Sequence, residues 1–224
     1  MIVPVRNDAT ALQSCLGSLA ASPSPNPIEL IVVDGQSSDR SLEIAVRFGA
    51  RGLRAPMVGR SAQMHCGAQQ ATGDILVFLH ADTVLPAGWV DRIEQAFWLS
   101  ATPPAAAAFD VAFDSSRMVF KALSALANLR SRLTRLPHGD QALIVSRQTY
   151  MSAGGFPNVP LMEEYLFIPK LKQFGRIAQF PERVVTSSRR YARDGAIRTT
   201  LKKVGLIVLF YVGVPPARLA RWYW

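Results

Sequence analysis

Three short groupings carry side chains able to do chemistry. Asp34 opens the turn Asp34-Gly35-Gln36-Ser37-Ser38-Asp39. A carboxylate there can accept hydrogen bonds from a nucleobase or ribose, while the same spacing also fits a helix cap at Ser38 or Asp39 beside a solvated Asp34. His80-Ala81-Asp82 offers one carboxylate suited to a hard divalent cation, because Mg²⁺ is held by one or two carboxylates with phosphate oxygens completing its shell. Taken alone, it equally fits a plain turn before Pro86. Glu163-Glu164, after Pro160-Leu161-Met162, would supply a general base or simply favour a helix N-terminus through its dipole.

Other chemistries lack their residues. No G-x-G-x-x-G follows the first apolar run, which argues against a dinucleotide dehydrogenase, and no G-x-x-x-x-G-K-[ST] marks a P-loop. His65, His80 and His138 are scattered without zinc spacing. Cys15 and Cys66 form neither a C-x-x-C pair nor a disulfide framework, and neither Ser124 nor Cys66 sits in a nucleophile elbow.

The elements that must position these groups read as alternating strands and helices. Met1–Val5 is apolar and β-branched, and because the chain begins almost inside it, a start further upstream stays open. A helix over Ala11–Ala20, capped by Asp8 or Thr10, carries Leu12, Leu16 and Leu19 at helical spacing. A proline-rich loop (Ser22–Pro27) precedes the buried strand Ile28–Val33, a helix to about Phe48, a helix over Ser61–Ala71 and the strand Ile75–Leu79. Strand, helix, strand, helix, strand predicts an α/β doubly wound, mostly parallel sheet with helices on both faces. Ligands of such sheets bind beyond the strand C-termini, where Asp34 and Asp82 both fall. Further on, helices are expected over Trp89–Leu99, Met118–Leu133, Ser146–Ala153 and Met162–Phe174, the last kinked or started late by Pro169. Strands are expected over Ala105–Phe113 and Gln141–Val145.

The 224 residues are 49% hydrophobic and 18% charged, which excludes a disordered chain and suits one domain. The net charge of +9 is uneven: residues 176–224 hold ten Arg or Lys against Glu182 and Asp194. A tail this basic favours an anionic partner, whether phospholipid, phosphorylated substrate or nucleic acid. The expected organisation is a domain over 1–190 with a basic C-terminal helical extension over 191–224. No signal peptide is visible, so a cytoplasmic location is the default expectation.

In this order the pieces resemble the inverting family 2 glycosyltransferases of GT-A fold, over essentially the whole chain. The matching stretches are IVPVRND at 2–8, ELIVVDGQSSDRS at 29–41, GRSAQMHCGAQQATGDILVFLHADTVLP at 59–86, GDQALIVSR at 139–147 and GGFPNVPLMEE at 154–164. The bacterial selenodomain-associated transferase 2 subfamily is the nearest in pattern. The resemblance implies transfer of a sugar from a UDP- or GDP-linked donor to an acceptor hydroxyl, with inversion. Val3, Pro4 and Val5 would line the base pocket, Asp34 would bind the base, and Arg60 would reach the base or diphosphate. Asp82 stands at the last position of the family's D-x-D motif and would hold Mg²⁺ or Mn²⁺, with His80 in place of the first Asp. Glu164 would be the catalytic base and Glu163 its companion. Glu replaces the family's Asp at 164, which moves the carboxylate out by one methylene; a shift of about 1 Å can cost on the order of a hundredfold in rate. Tyr165–Pro169 departs from the polar, Arg-containing helix expected after the pair. Gly139, Asp140, Gln141, Arg189 and Arg190 would face the acceptor or the diphosphate.

Val204–Val214 is an apolar run too short to span a bilayer. With Lys202-Lys203 before it and Arg221-Trp222-Tyr223-Trp224 at the end, it fits a helix on the inner face of an anionic membrane, through residues 198–224. It equally fits a core-packing or dimer-forming helix. The alternative functions are a catalytically impaired nucleotide-sugar-binding or peripheral membrane-binding protein, and a nucleotidyltransferase, whose phosphate loop is missing after strand one. Nucleic acid ranks last as a partner, because the body lacks a basic surface interleaved with aromatic residues.

Overall fold

The computed structural model describes residues 1–22, 24 and 26–223. Pro23 and Pro25 of the expected proline-rich loop, and Trp224 of the aromatic terminus, lie outside the described residues. Short apolar runs become buried strands and the segments between them become helices. In chain order these are β1 (Ile2–Val5), α1 (Ala9–Ala20), β2 (Ile31–Asp34), α2 (Ser41–Arg47), β3 (Arg51–Arg54), α3 (Arg60–Gln70) and β4 (Ile75–Phe78). The second half adds β5 (Thr83–Val84), α4 (Trp89–Phe97), β6 (Ala106–Phe113), α5 (Met118–Thr134), a 3-10 turn (Gly139–Gln141), β7 (Leu143–Ser146) and α6 (Arg147–Ser152). Then come α7 (Glu163–Leu171), β8 (Ile177–Thr186), α8 (Arg189–Asp194), α9 (Ala196–Tyr211) and α10 (Pro216–Tyr223).

The strands form one sheet in the order β3-β2-β1-β4-β7-β6-β8-β5. β1 to β4 run parallel, while β7 is antiparallel to both β4 and β6. Alternation along each strand feeds two cores. Val3, Val32, Val77 and Ile144 face one layer, and Ile2, Val33, Phe78 and Val145 face the other. α3 lies so close on the second face that a Cβ at Gly67 would strike Ile2 and Val33. A third, smaller cluster joins Met162 at the head of α7 to Leu206 of α9 and Leu219 of α10.

Three strands escape the sequence pattern. β3 is a polar edge strand, Arg-Gly-Leu-Arg, mostly exposed and paired only with β2. β5 has two residues. β8 contains Pro181, which argues against a strand, but the β6–β8 register jumps between Phe109 and Asp110, so Pro181 falls in a bulge with no ladder bond to lose. The capping differs as well. Asp8 makes no side-chain cap of α1; Asp39 does so from the β2–α2 turn, with its Oδ2 accepting from Ala9 N at 2.9 Å while its Oδ1 accepts from Ser41 N at 3.1 Å. One carboxylate thereby serves the starts of two helices. Around Pro169 the expected helix closes at Leu171, followed by a 3-10 turn.

Candidate active site

Beyond the end of β4 lies a cleft of about 220 Å³. His80 and Asp82 reach it from the segment after β4, Gly139 and Asp140 from the 3-10 turn, Glu164 from α7 and Arg190 from α8. The inner side of α9 closes it with Lys203, Leu206 and Ile207. Residues more than a hundred positions apart thus meet at one sheet edge.

The centre is a clamp on a single guanidinium. Arg60, the first residue of α3, donates from Nε to Glu163 Oε1 at 2.6 Å and from Nη2 to Glu164 Oε1 at 2.9 Å. Its Nη1 lies 3.4 Å from His80 Nε2. Burial, reinforced by the Arg60 charge, pushes His80 down to about 3, so the ring is neutral and accepts at Nε2. Burial pushes the Glu164 carboxyl up to about 7; Arg60 opposes the rise and Glu163 adds to it. Both glutamates stand in the first turn of α7, where the helix dipole favours a carboxylate. Glu163 Oε2 is buried with no hydrogen-bond partner among the described residues. Gly139 is needed for space, because a Cβ there would run into Glu164 Oε1 and His80 Nε2.

Asp34 ends β2, fully buried, with Oδ1 and Oδ2 both 3.1 Å from Ser37 N. Arg54 lies 3.5 Å away. From α3, Gln63 Nε2 donates to Val5 O and Val33 O, both at 2.8 Å, and ties the ends of β1 and β2 together. The sequence carried no sign of this stitch, because a glutamine in a helix has no motif. The side chains of Val3 and Val5, expected to line a base pocket, are buried in the core. Gln141 departs from expectation too. It is buried, its Oε1 accepts from Ser131 Oγ and His138 N, and its Nε2 donates to Phe109 O, so it holds the turn in place and does not face the cleft. Arg189 turns to Asp8 at 2.7 Å, whereas Arg190 lines the cleft and bonds Tyr223.

The structure adds groups that the sequence reading passed over. Tyr165 Oη is 2.6 Å from His138 Nε2 and accepts from Arg130 Nη1 at 3.1 Å. Arg130 comes from α5. Lys203 Nζ donates to Tyr191 Oη at 2.8 Å and lies over its ring. Their signal was there only as the apolar, aromatic character of Tyr165 and the basic tail.

Asp82, expected as the metal ligand, presents its carboxylate to the cleft, where a divalent cation would find it beside Asp140. Its carboxyl is pushed up by burial and then by the charges of Asp8 and Asp140, an excess of negative charge that a cation would neutralise. Among the described residues no three His, Cys, Asp or Glu side chains converge as a metal cage. The donor set therefore fits an ion that takes its remaining oxygens from a bound diphosphate.

The family described as Glycosyl transferase family 2 matches residues 1–136. Glycosyltransferase AglE of Haloferax volcanii is 31% identical over 99 residues, covering 41% of this chain and 33% of that protein. The 4,4'-diaponeurosporenoate glycosyltransferase of Staphylococcus haemolyticus is 35% identical over 92 residues, 38% of this chain and 24% of that one. The chain thus spans a third or less of the length of these two curated relatives. Among solved structures, the mannosyltransferase PcManGT from Pyrobaculum calidifontis in complex with GDP-Man and Mn²⁺ superposes with a TM-score of 0.62 at 24% identity, over 82% of this chain and 55% of that one. Glucosyl-3-phosphoglycerate synthase from Mycobacterium tuberculosis, with Mn²⁺ and UDP-Glc, gives 0.59 at 22%, over 81% and 68%. At these identities the likeness is one of fold.

Proposed function

The chain belongs to glycosyl transferase family 2 and has the GT-A fold, and on that premise we propose that it is an inverting, metal-assisted transferase acting on a UDP- or GDP-linked sugar, with Glu164 as the base. The observation that carries this reading is the buried Glu164 carboxyl, raised to about 7, in the same cleft as Asp82. A base whose proton affinity sits near neutral pH accepts a proton readily and is still largely available to do so.

Glu164 takes the proton of the acceptor hydroxyl as that oxygen attacks the anomeric carbon. The new C–O bond forms on the face opposite the diphosphate while the old C–O bond breaks, so configuration inverts. Asp82 would hold Mg²⁺ or Mn²⁺, and that ion would neutralise the departing diphosphate. Arg190 and Lys203 add fixed positive charge to the same cleft. His80, neutral and bonded to Arg60, holds the guanidinium against the two glutamates. Asp34 and the ends of β1 and β2 form the base-binding end. α9 and α10 share an apolar cluster with the head of α7, which supports reading residues 191–223 as part of the same unit. We place the reaction in the cytoplasm.

Calorimetric titration of UDP and GDP, with and without Mn²⁺, tests the donor half. One nucleotide binds in a metal-dependent manner, and Asp82→Ala abolishes the binding while Glu164→Gln retains it. Absence of binding by either nucleotide under every condition overturns the reading.

A further inference from the structure

The outer face of α9 has no role in the cleft. On a helix of 3.6 residues per turn, Ile197, Leu201, Val204, Val208, Tyr211 and Val212 fall on one stripe about 100° wide. All six are 51–71% exposed. One edge of the stripe is bordered by Arg198 and Lys202, and Lys202 Nζ donates to Tyr223 O of α10, a helix whose Arg218, Arg221 and Trp222 are exposed. Asp194 is the single acidic residue from 183 to 223, and it is paired with Arg193 at 2.7 Å. A second exposed apolar row, Met118, Leu126, Leu129 and Leu133, runs along α5. Tyr165 bridges the two helices, bonded to Arg130 of α5 and in ring contact with Phe210 and Tyr211 of α9. No helix among the described residues is long and apolar enough to cross a membrane.

We propose that the outer face of α9, edged by Arg198 and Lys202, docks on the surface of an anionic phospholipid bilayer. Exposed aliphatic side chains in a continuous row cost free energy in water and are rare on a monomer unless something covers them. The charge selects the occupant. The stripe carries no acid and is edged by arginine and lysine, the pattern of a helix lying in the plane of an anionic interface, with its apolar side in the acyl boundary and its cations among the headgroups. A second copy of the chain would offer the same basic surface, with no acid on the stripe to pair with Arg198 and Lys202. Docking has a consequence that rests on the transferase reading: the opposite side of α9 lines the cleft through Lys203, Leu206 and Ile207. A bilayer on its outer face would thus bring membrane-borne hydroxyl groups to within about one helix diameter, roughly 10 Å, of the cleft.

Co-sedimentation of the whole chain with phosphatidylcholine vesicles, and with vesicles containing phosphatidylglycerol, tests the proposal without reference to turnover. The expected result is binding to the anionic vesicles alone, weakened by salt. Leu201→Glu with Val208→Glu lowers the partition coefficient at least about tenfold, and Arg198→Glu with Lys202→Glu lowers it less. Thermal melting and nucleotide titration of each variant confirm that fold and donor site are intact; both glutamates replace exposed residues. Failure of the wild-type chain to sediment with anionic vesicles at low salt overturns the proposal, as does equal binding by the apolar-face variant. So does a lipid-free dimer, seen by sedimentation equilibrium, that the same variant dissociates, because the stripe is then a self-interface. Failure of nucleotide binding, by contrast, would sink the transferase reading and leave this one standing.

Discussion

Asp34 and Glu164 are both buried carboxylates beyond a sheet edge, yet their surroundings are built in opposite ways. Asp34 is held from within its own turn, by the amide of Ser37 three residues on. Glu164 is held by Arg60, 104 residues away, with His80 and Gly139 closing around it from two further segments. The first is a local motif that any chain with this turn would make. The second exists only when α3, the β4 end, the 3-10 turn and α7 have all docked. A locally satisfied carboxylate is a fixed acceptor suited to recognition. A buried carboxylate held by distant groups has a proton affinity that those groups can set, and that suits a base.

The contrast predicts where substitution hurts most. Glu164→Gln removes the base and nearly preserves shape, so transfer falls by roughly 10²- to 10⁴-fold. Nucleotide affinity, measured by titration, stays unchanged. A matching loss of nucleotide binding would show that Glu164 belongs to the donor pocket. Next in size is Gly139→Ala. The added methyl group must push either Glu164 or His80 aside, and about 1 Å of misplacement at a base is expected to cost on the order of a hundredfold in kcat. The check is kcat against KM for the donor, and only kcat should move.

Proton affinity gives a finer test. The folded chain raises Glu164 from 4.5 to about 7, so the acidic limb of kcat/KM is expected near pH 7. Glu163 contributes to that rise, so Glu163→Gln shifts the limb to lower pH without lowering the plateau. The stability sign follows from linkage. Between pH 4.5 and 7 the unfolded chain has released a proton that the folded chain retains. This group therefore costs the fold stability as pH rises through that window, and Glu164→Gln removes that slope in denaturant titrations. A limb that stays put in Glu163→Gln would mean that burial and Arg60 set the value without Glu163.

The same contrast governs what could be read from the chain. β1, β2 and β4 announce themselves because each is a short unbroken apolar run ending in a polar turn, and Asp34 and Asp82 follow as the residues at their mouths. Glu163-Glu164 is visible as a pair, but its partner is not, because no spacing links residue 60 to residue 163. β3 was hidden by its arginines and β8 by Pro181, whose cost vanishes in a bulge that only the paired strand reveals. Gln141 looks like a ligand-facing polar residue beside Asp140. Its burial depends on Ser131 and Phe109, which arrive from other elements.

The smallest expected effect lies at the local site. Asp34→Asn keeps an oxygen able to accept from Ser37 N, so the turn survives and the fold loses about 1 kcal/mol or less. It also removes the negative charge 3.5 Å from Arg54, a pair whose guanidinium is largely exposed and contributes little. What changes is recognition. A base that donated two hydrogen bonds to a carboxylate meets an amide that accepts on one side only, and affinity for the preferred nucleotide should drop a few-fold to about tenfold with kcat untouched. Asp82→Ala, with no substitute oxygen, should abolish metal-dependent binding altogether. If Asp34→Asn proves as damaging as Asp82→Ala, then Asp34 carries more than base recognition, and the separation between a fixed recognition end and a tuned catalytic end fails at its simplest point.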